Sequence, residues 1–297
     1  MPAFERRPDR YEGLSLEARE KLALLEIKMA REGAGNESFA EYRPDNWWEW
    51  VIGLLGMPIE QDTKDMRTAP LVTWSLAAAI TAISVFAFIA LPTAVRDYGF
   101  IPADPLRYGG LTLLTSFLLH GSILHLVGNL YFLLIFGDNV EAWLGRRKFL
   151  LLILCATVAG DLLHFFGNAS SNTPCIGASG GVSGILAFYA LTFPHAKLGF
   201  LMRFYLWFRW ITLPAYGLFA LWIILQFVGA WMQVSGFSHV AALAHLGGAG
   251  VGLIFWLAHK KWGQTSLPTK SPLDITGINT DISTDESVSF VRESRET

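Results

Sequence analysis

The chain has 297 residues, about half of them hydrophobic and only 16% charged, where a soluble domain carries about 25%. Its net charge of −2 identifies no partner, and it has no basic patch suited to nucleic acid. Two cysteines, Cys155 and Cys175, are too few for a disulfide framework.

The apolar excess is uneven. From Ile211 to Ala258 there is no Asp, Glu, Lys or Arg. That is long enough to cross a ~30 Å hydrocarbon core twice, at about 20 helical residues per crossing. The expected class is therefore an all-α membrane protein.

In chain order, residues 1–70 read as a polar leader, 71–262 as the membrane domain and 263–297 as a tail. Within the leader, Leu22, Leu25 and Met29 share one face of an amphipathic helix over Ser15–Arg31, which Gly33 stops. Trp47, Trp48 and Trp50 suit the lipid headgroup level. The first long apolar run begins only near Leu71, so no secretory signal peptide is visible.

Six apolar segments follow, at about 71–91, 122–137, 149–166, 176–193, 211–232 and 240–258. Several are shorter than a full crossing, so some ends must lie at the interface or be shielded by protein. The tail is rich in Ser, Thr, Asp and Glu and is expected to be disordered.

Charge sets the expected orientation. Arg146, Arg147 and Lys148 follow the second segment, Lys197, Arg203 and Arg209 the fourth, and Lys260 and Lys261 the sixth. The alternate loops hold only Arg96 and Arg107. The positive-inside rule then puts both termini in the cytoplasm. Between the fourth and fifth segments, Leu198–Trp210 sets Arg203 and Arg209 among the aromatics Phe204, Tyr205, Trp207, Phe208 and Trp210, which suits a helix or loop lying in the inner interface.

Three short stretches could carry chemistry. Gly177-Ala178-Ser179-Gly180 opens the fourth segment. Its glycines would leave the Ser179 hydroxyl uncovered, and a helix N-terminus offers N–H groups to an oxyanion. The same residues could equally serve packing, since Gly180 and Gly184 make a small-xxx-small face.

Ala244-His245-Leu246-Gly247-Gly248, continuing to Gly252, lies on the sixth segment. An ionisable ring inside a bilayer is costly and marks either function or a hydrogen bond to a neighbouring helix. Gly248 and Gly252 offer a smooth strip to the one on the fourth segment, and packing of the two would bring Ser179 and His245 together at similar depth. On the second segment, His125 and Asn129 at i, i+4 share a face and can both donate hydrogen bonds. They suit an oxyanion site or an interhelical tie.

Together these stretches resemble the rhomboid proteases: His-xxx-Asn on the second helix, Gly-x-Ser-Gly on the fourth and Ala-His-xx-Gly-xxx-Gly on the sixth. Phe136-Gly137-Asp138-Asn139-Val140-Glu141 looks like the family's turn after the second helix, and Tyr98-Gly99-Phe100-Ile101-Pro102 like the entry to its first loop. The resemblance implies a six-transmembrane-helix rhomboid-like bundle acting as an intramembrane serine endopeptidase. It implies Ser179 and His245 as a catalytic pair without a carboxylate, His125 and Asn129 at the oxyanion, and Gly177, Gly180, Gly248 and Gly252 as motif glycines. It further implies transmembrane protein substrates, a lipid bilayer as surroundings and no cofactor.

Two positions depart from the family pattern. Leu111-Thr112 stand where a Trp-Arg pair is common. Ser183 stands where some members pack an aromatic ring on the histidine, so the imidazole here must be oriented in another way.

Asp161 and His164 sit i, i+3 near the outer end of the third segment, close enough to the boundary to be solvated. His120 and His239 read as loop residues. No His/Cys/Asp cluster has metal-ligand spacing. Two other classes compete with a protease. An inactive client-binding relative is opposed by the retention of Ser179 and His245. A transporter is opposed by the lack of a repeat between the two halves.

Overall fold

In hydrocarbon every backbone polar group must be satisfied within the protein, so long apolar runs become helices. The computed structural model describes residues 44, 46–61, 69–205, 207–238 and 240–263. The leader helix expected over Ser15–Arg31, the tail beyond residue 263 and His239 lie outside the described residues. The chain divides into two compact units, Met1–Ala258 and His259–Thr297. The site described below belongs to the first.

A short helix α1 (Trp47–Leu54) and a two-residue strand β1 (Ile59–Glu60) precede the apolar region. Helix α2 (Leu71–Ala87) continues through a 3-10 turn into α3 (Leu91–Tyr98). Then come α4 (Ile123–Leu144), α5 (Arg146–Asn168), α6 (Ser179–Thr192), strands β2 (Lys197–Phe204) and β3 (Trp207–Pro214), α7 (Ala215–Val234) and α8 (Ala242–Gly263). Among the described residues, five helices are long and apolar enough to cross a membrane: α2 with α3, α4, α5, α7 and α8. The molecule is a mostly helical, multi-pass membrane protein.

Helix α6 is too short for that set. Its 14 residues span only ~21 Å at ~1.5 Å each. It is nonetheless the centre of the bundle, with Gly180, Val182, Ile185, Phe188 and Tyr189 all buried. Around it pack Leu133, Phe136 and Val140 of α4 and Phe149, Leu152 and Ile153 of α5. Against α8 the approach is close: a Cβ on Gly248 would run into the carbonyl oxygen of Gly180, and one on Gly252 into that of Gly184. Helix α7 is the opposite case. It buries only Ala215, Ala230 and Gln233 and exposes Leu221, Ile224, Leu225, Phe227 and Val228, a lipid-facing surface.

The structure corrects the sequence reading in three places. Phe136–Glu141 is not a turn, because α4 runs on to Leu144 and stops at Gly145, whose φ of 78° suits glycine. The polar residues of that stretch have partners within the fold. The Glu141 carboxylate accepts from the N–H groups of Val72 (3.0 Å) and Thr73 (2.8 Å), capping α2. The Asn139 amide donates to Glu60.

Leu198–Trp210 is neither helix nor irregular loop but most of an antiparallel hairpin, and β1 adds to its β2 edge. The hairpin is stabilised by this third strand and by Ile59, Leu201 and Trp210, which form a small core of their own. Ile211–Pro214, expected in the fifth helix, complete β3, so the fold is not purely α-helical. Both cysteines are free thiols.

Candidate active site

The segment leading into α6 is extended and held on every side. Phe100 and Cys175 exchange backbone hydrogen bonds of 3.0 and 2.7 Å, and the Gly177 N–H donates to the Ser116 carbonyl at 2.9 Å. The Ser116 hydroxyl in turn donates to the Asp161 carboxylate at 3.0 Å. Asp161 is therefore buried rather than solvated as its sequence position suggested.

His120 does lie in a loop, but it is fully buried. Burial, with His125 nearby, lowers its ring to about 4 and keeps it neutral. A neutral ring fits its two contacts. Nδ1 is 2.9 Å from the Ser84 hydroxyl, and Nε2 faces the Ala178 N–H at 3.4 Å. The Ser84 hydroxyl itself donates to the Leu118 carbonyl at 2.9 Å.

Gly177 has φ of 125°, and a Cβ there would lie 2.8 Å from the ring of His125. Both the conformation and the space call for glycine. Immediately after it, α6 begins at Ser179 with no side-chain cap. Its first N–H groups therefore have no acceptor within the helix and face the start of the site.

Ser179 Oγ lies 2.9 Å from His245 Nε2, and His245 Nδ1 lies 2.8 Å from the amide oxygen of Gln226 on α7. The glycine contact between α6 and α8 is what permits this meeting. Ser183 leaves the ring alone, since its hydroxyl donates to the Ser179 carbonyl at 2.6 Å. The aromatic neighbour of His245 is instead Trp222 of α7, with ring centroids 6.3 Å apart and planes inclined by 32°.

His125 and Asn129 occupy one face of α4, and Ser122 caps that helix by accepting from the His125 N–H at 3.1 Å. Asn129 donates to the His125 carbonyl at 2.9 Å. These two residues, Ser179, His245 and Trp222 line one cavity of about 810 Å³. Such a volume lies within the range of ligand-binding clefts, about 300–1,000 Å³. A hydroxyl within hydrogen-bond distance of an imidazole nitrogen, next to a cluster of hydrogen-bond donors, is an arrangement suited to acyl transfer.

Sequence reasoning missed Gln226 and the burial of Asp161 and His120. Gln226 and Gln233 lie seven residues apart, on one face of an otherwise apolar helix. That spacing was a usable signal, because an amide in hydrocarbon needs a partner. Among the described residues, no group of three or more His, Cys, Asp or Glu could hold a metal ion.

The Rhomboid domain family matches residues 109–261, just over half the chain. Similar proteins include the presenilin-associated rhomboid-like protein A, mitochondrial, of Danio rerio. It is 31% identical over 141 residues, covering 47% of this chain and 35% of that protein. The RHOMBOID-like protein 12, mitochondrial, of Arabidopsis thaliana is 25% identical over 258 residues, covering 81% and 70%. The human presenilin-associated rhomboid-like protein, mitochondrial, is 28% identical over 165 residues, covering 54% and 40%. The chain thus spans about a third of the zebrafish relative's length and more than two thirds of the Arabidopsis one's.

Proposed function

The chain belongs to the rhomboid family, and on that premise we propose that it is an intramembrane serine endopeptidase. It hydrolyses peptide bonds in or next to the transmembrane segments of other membrane proteins, with Ser179 as nucleophile and His245 as general base. The observation that carries this reading is the 2.9 Å contact between Ser179 Oγ and His245 Nε2, made at the wall of a cavity of about 810 Å³.

In this reading His245 takes the Ser179 proton as Oγ attacks the scissile carbonyl carbon. The carbonyl electron pair moves onto oxygen and is held by Asn129, His125 and the N–H groups at the start of α6. The protonated ring then gives its proton to the leaving amine, and water repeats the sequence to release the acyl group. No carboxylate takes part. Six helices cross the bilayer, with the short α6 shielded by its neighbours, and both termini are cytoplasmic. The site opens toward the outer side.

The test is cleavage of a panel of single-span membrane proteins in liposomes. Ser179→Ala removes one hydroxyl and should abolish cleavage while thermal stability stays near the parent's. If the variant cuts as fast as the parent, the serine mechanism is wrong. An inactive client-binding protein would show no cleavage by the parent either.

A further inference from the structure

A histidine can act as base toward a serine only through a nitrogen that carries no proton. For Nε2 to receive the Ser179 proton, the neutral ring of His245 must carry its own hydrogen on Nδ1. Serine proteases of other folds fix that tautomer with a carboxylate. The sequence around His245 supplies none, and the helix position that could have stacked an aromatic ring on it is Ser183, whose hydroxyl is committed to the Ser179 carbonyl.

What meets the far side of the ring comes from α7. Trp222 and Gln226 are four residues apart and so share one helix face. The Trp222 ring lies beside the imidazole, inclined to it by 32° with centroids 6.3 Å apart, and Gln226 presents its amide oxygen to Nδ1 at 2.8 Å. Gln226 is half-buried on a helix that exposes much of its apolar surface to lipid. One heptad further on, Gln233 ties the same face of α7 to the bundle, at 2.9 Å from His164 Nδ1 and accepting from the Leu243 N–H at 3.1 Å. The register of α7 against His245 is therefore fixed near the site.

We propose that Gln226 is a positioning residue of the active site, its amide oxygen accepting the Nδ1 hydrogen of His245 so that Nε2 is held ready for the Ser179 proton. This rests on the Ser179–His245 reading above. Before attack the chain of donors runs from Ser179 Oγ–H to Nε2 and from Nδ1–H to Gln226 Oε1. During attack the Oγ–H bond breaks, its proton passes to Nε2, and the oxygen electron pair forms the bond to the carbonyl carbon. The imidazolium keeps its Nδ1–H on Gln226, so no second proton moves.

An amide turned the other way would donate its NH2 to Nδ1, put the ring hydrogen on Nε2 and disable the base. The sign of the effect therefore depends on the acceptor, which an experiment can isolate. Imposing the wrong tautomer on a soluble serine protease costs about 10⁴ in kcat. Loss of a neutral orienting acceptor leaves both tautomers populated and costs less, on the order of tenfold or more.

The experiment measures phosphonylation of Ser179 by a fluorophosphonate in the full chain in liposomes, with Ser179→Ala as the blank. Gln226→Leu keeps the size but removes the acceptor. It should lower the limiting rate by about tenfold or more while the half-saturating probe concentration and the melting temperature stay near the parent's. Gln226→Glu restores an acceptor and should recover most of that rate. Nitrogen-15 spectra of the imidazoles should show His245 protonated at Nδ1 in the parent and as a mixture of tautomers in Gln226→Leu.

A parental rate in Gln226→Leu overturns the proposal and leaves the Ser179–His245 reading intact. So does a slow Gln226→Leu that Gln226→Glu does not rescue. Labelling that persists in Ser179→Ala overturns both.

Discussion

Asn129 donates to the carbonyl of His125 on its own helix, yet an amide carries a second N–H, and the residue lines the same cavity as Ser179. The oxyanion role and the packing role predict different kinetics for Asn129→Ala. If Asn129 holds the oxyanion, kcat falls with little change in KM, because that contact is made in the transition state. Removing one such donor from a soluble protease costs about 2.7–4 kcal/mol. Here the loss should be smaller, since His125 and backbone donors remain. A less stable variant with parental kcat per folded molecule would remove Asn129 from the chemistry.

The same scale explains what the sequence left hidden around the site. Ser179 and His245 could be picked out because each sits in a glycine-rich stretch within an apolar segment. Asp161 and His120 could not, because their partners, Ser116 and Ala178, are 45 and 58 positions away. Only the folded first loop brings those pairs together.

At the level of elements, contact between α6 and α8 decides whether Ser179 and His245 meet. Gly248→Ala adds a methyl group where the Gly180 carbonyl already stands. A backbone carbonyl cannot turn aside as a side chain can, so the helices must part. Overpacking of this kind costs about 1–3 kcal/mol, and here the separation also lengthens the 2.9 Å contact at Ser179. Gly248→Ala should therefore lose both melting temperature and cleavage.

Gly250→Ala, two residues along the same helix, meets nothing within 4 Å. It should keep activity and gain up to about 1 kcal/mol from helix propensity. Equal effects of the two substitutions would refute the close-contact account.

Small-xxx-small spacing made this crossing legible in the sequence, and hydrophobic runs made the helices legible. The hairpin was not. Its inner half is buried because β1 pairs with Gly199 and Leu198, and that pairing joins segments nearly 140 residues apart. Local composition showed only aromatics and arginines, which suit an interfacial helix equally well.

For the whole molecule, the two ends of α6 carry different chemistry. At its start lie Ser179 and the cavity. At its other end the Tyr189 hydroxyl meets Glu60, which also accepts from Asn139, and the hairpin follows directly with Arg203, Phe204, Tyr205 and Trp207 exposed at its tip. Helix α5 begins at that same level with Arg146, Arg147 and Lys148, since it runs antiparallel to the preceding α4 through a single glycine. Cations thus gather at the hairpin end, which is the cytoplasmic end in the proposed topology.

Accessibility of single cysteines tests the assignment, in a background with Cys155→Ala and Cys175→Ser. Tyr205→Cys at the hairpin tip should react with an impermeant maleimide only after the membrane is opened. Asn172→Cys, exposed in the loop before α6, should react in sealed spheroplasts. The reverse pattern would invert the orientation and move the cavity to the cytoplasmic side. The contacts among Ser179, His245 and Gln226 would be unchanged, but the substrates within reach would have to present their scissile bonds from the opposite face.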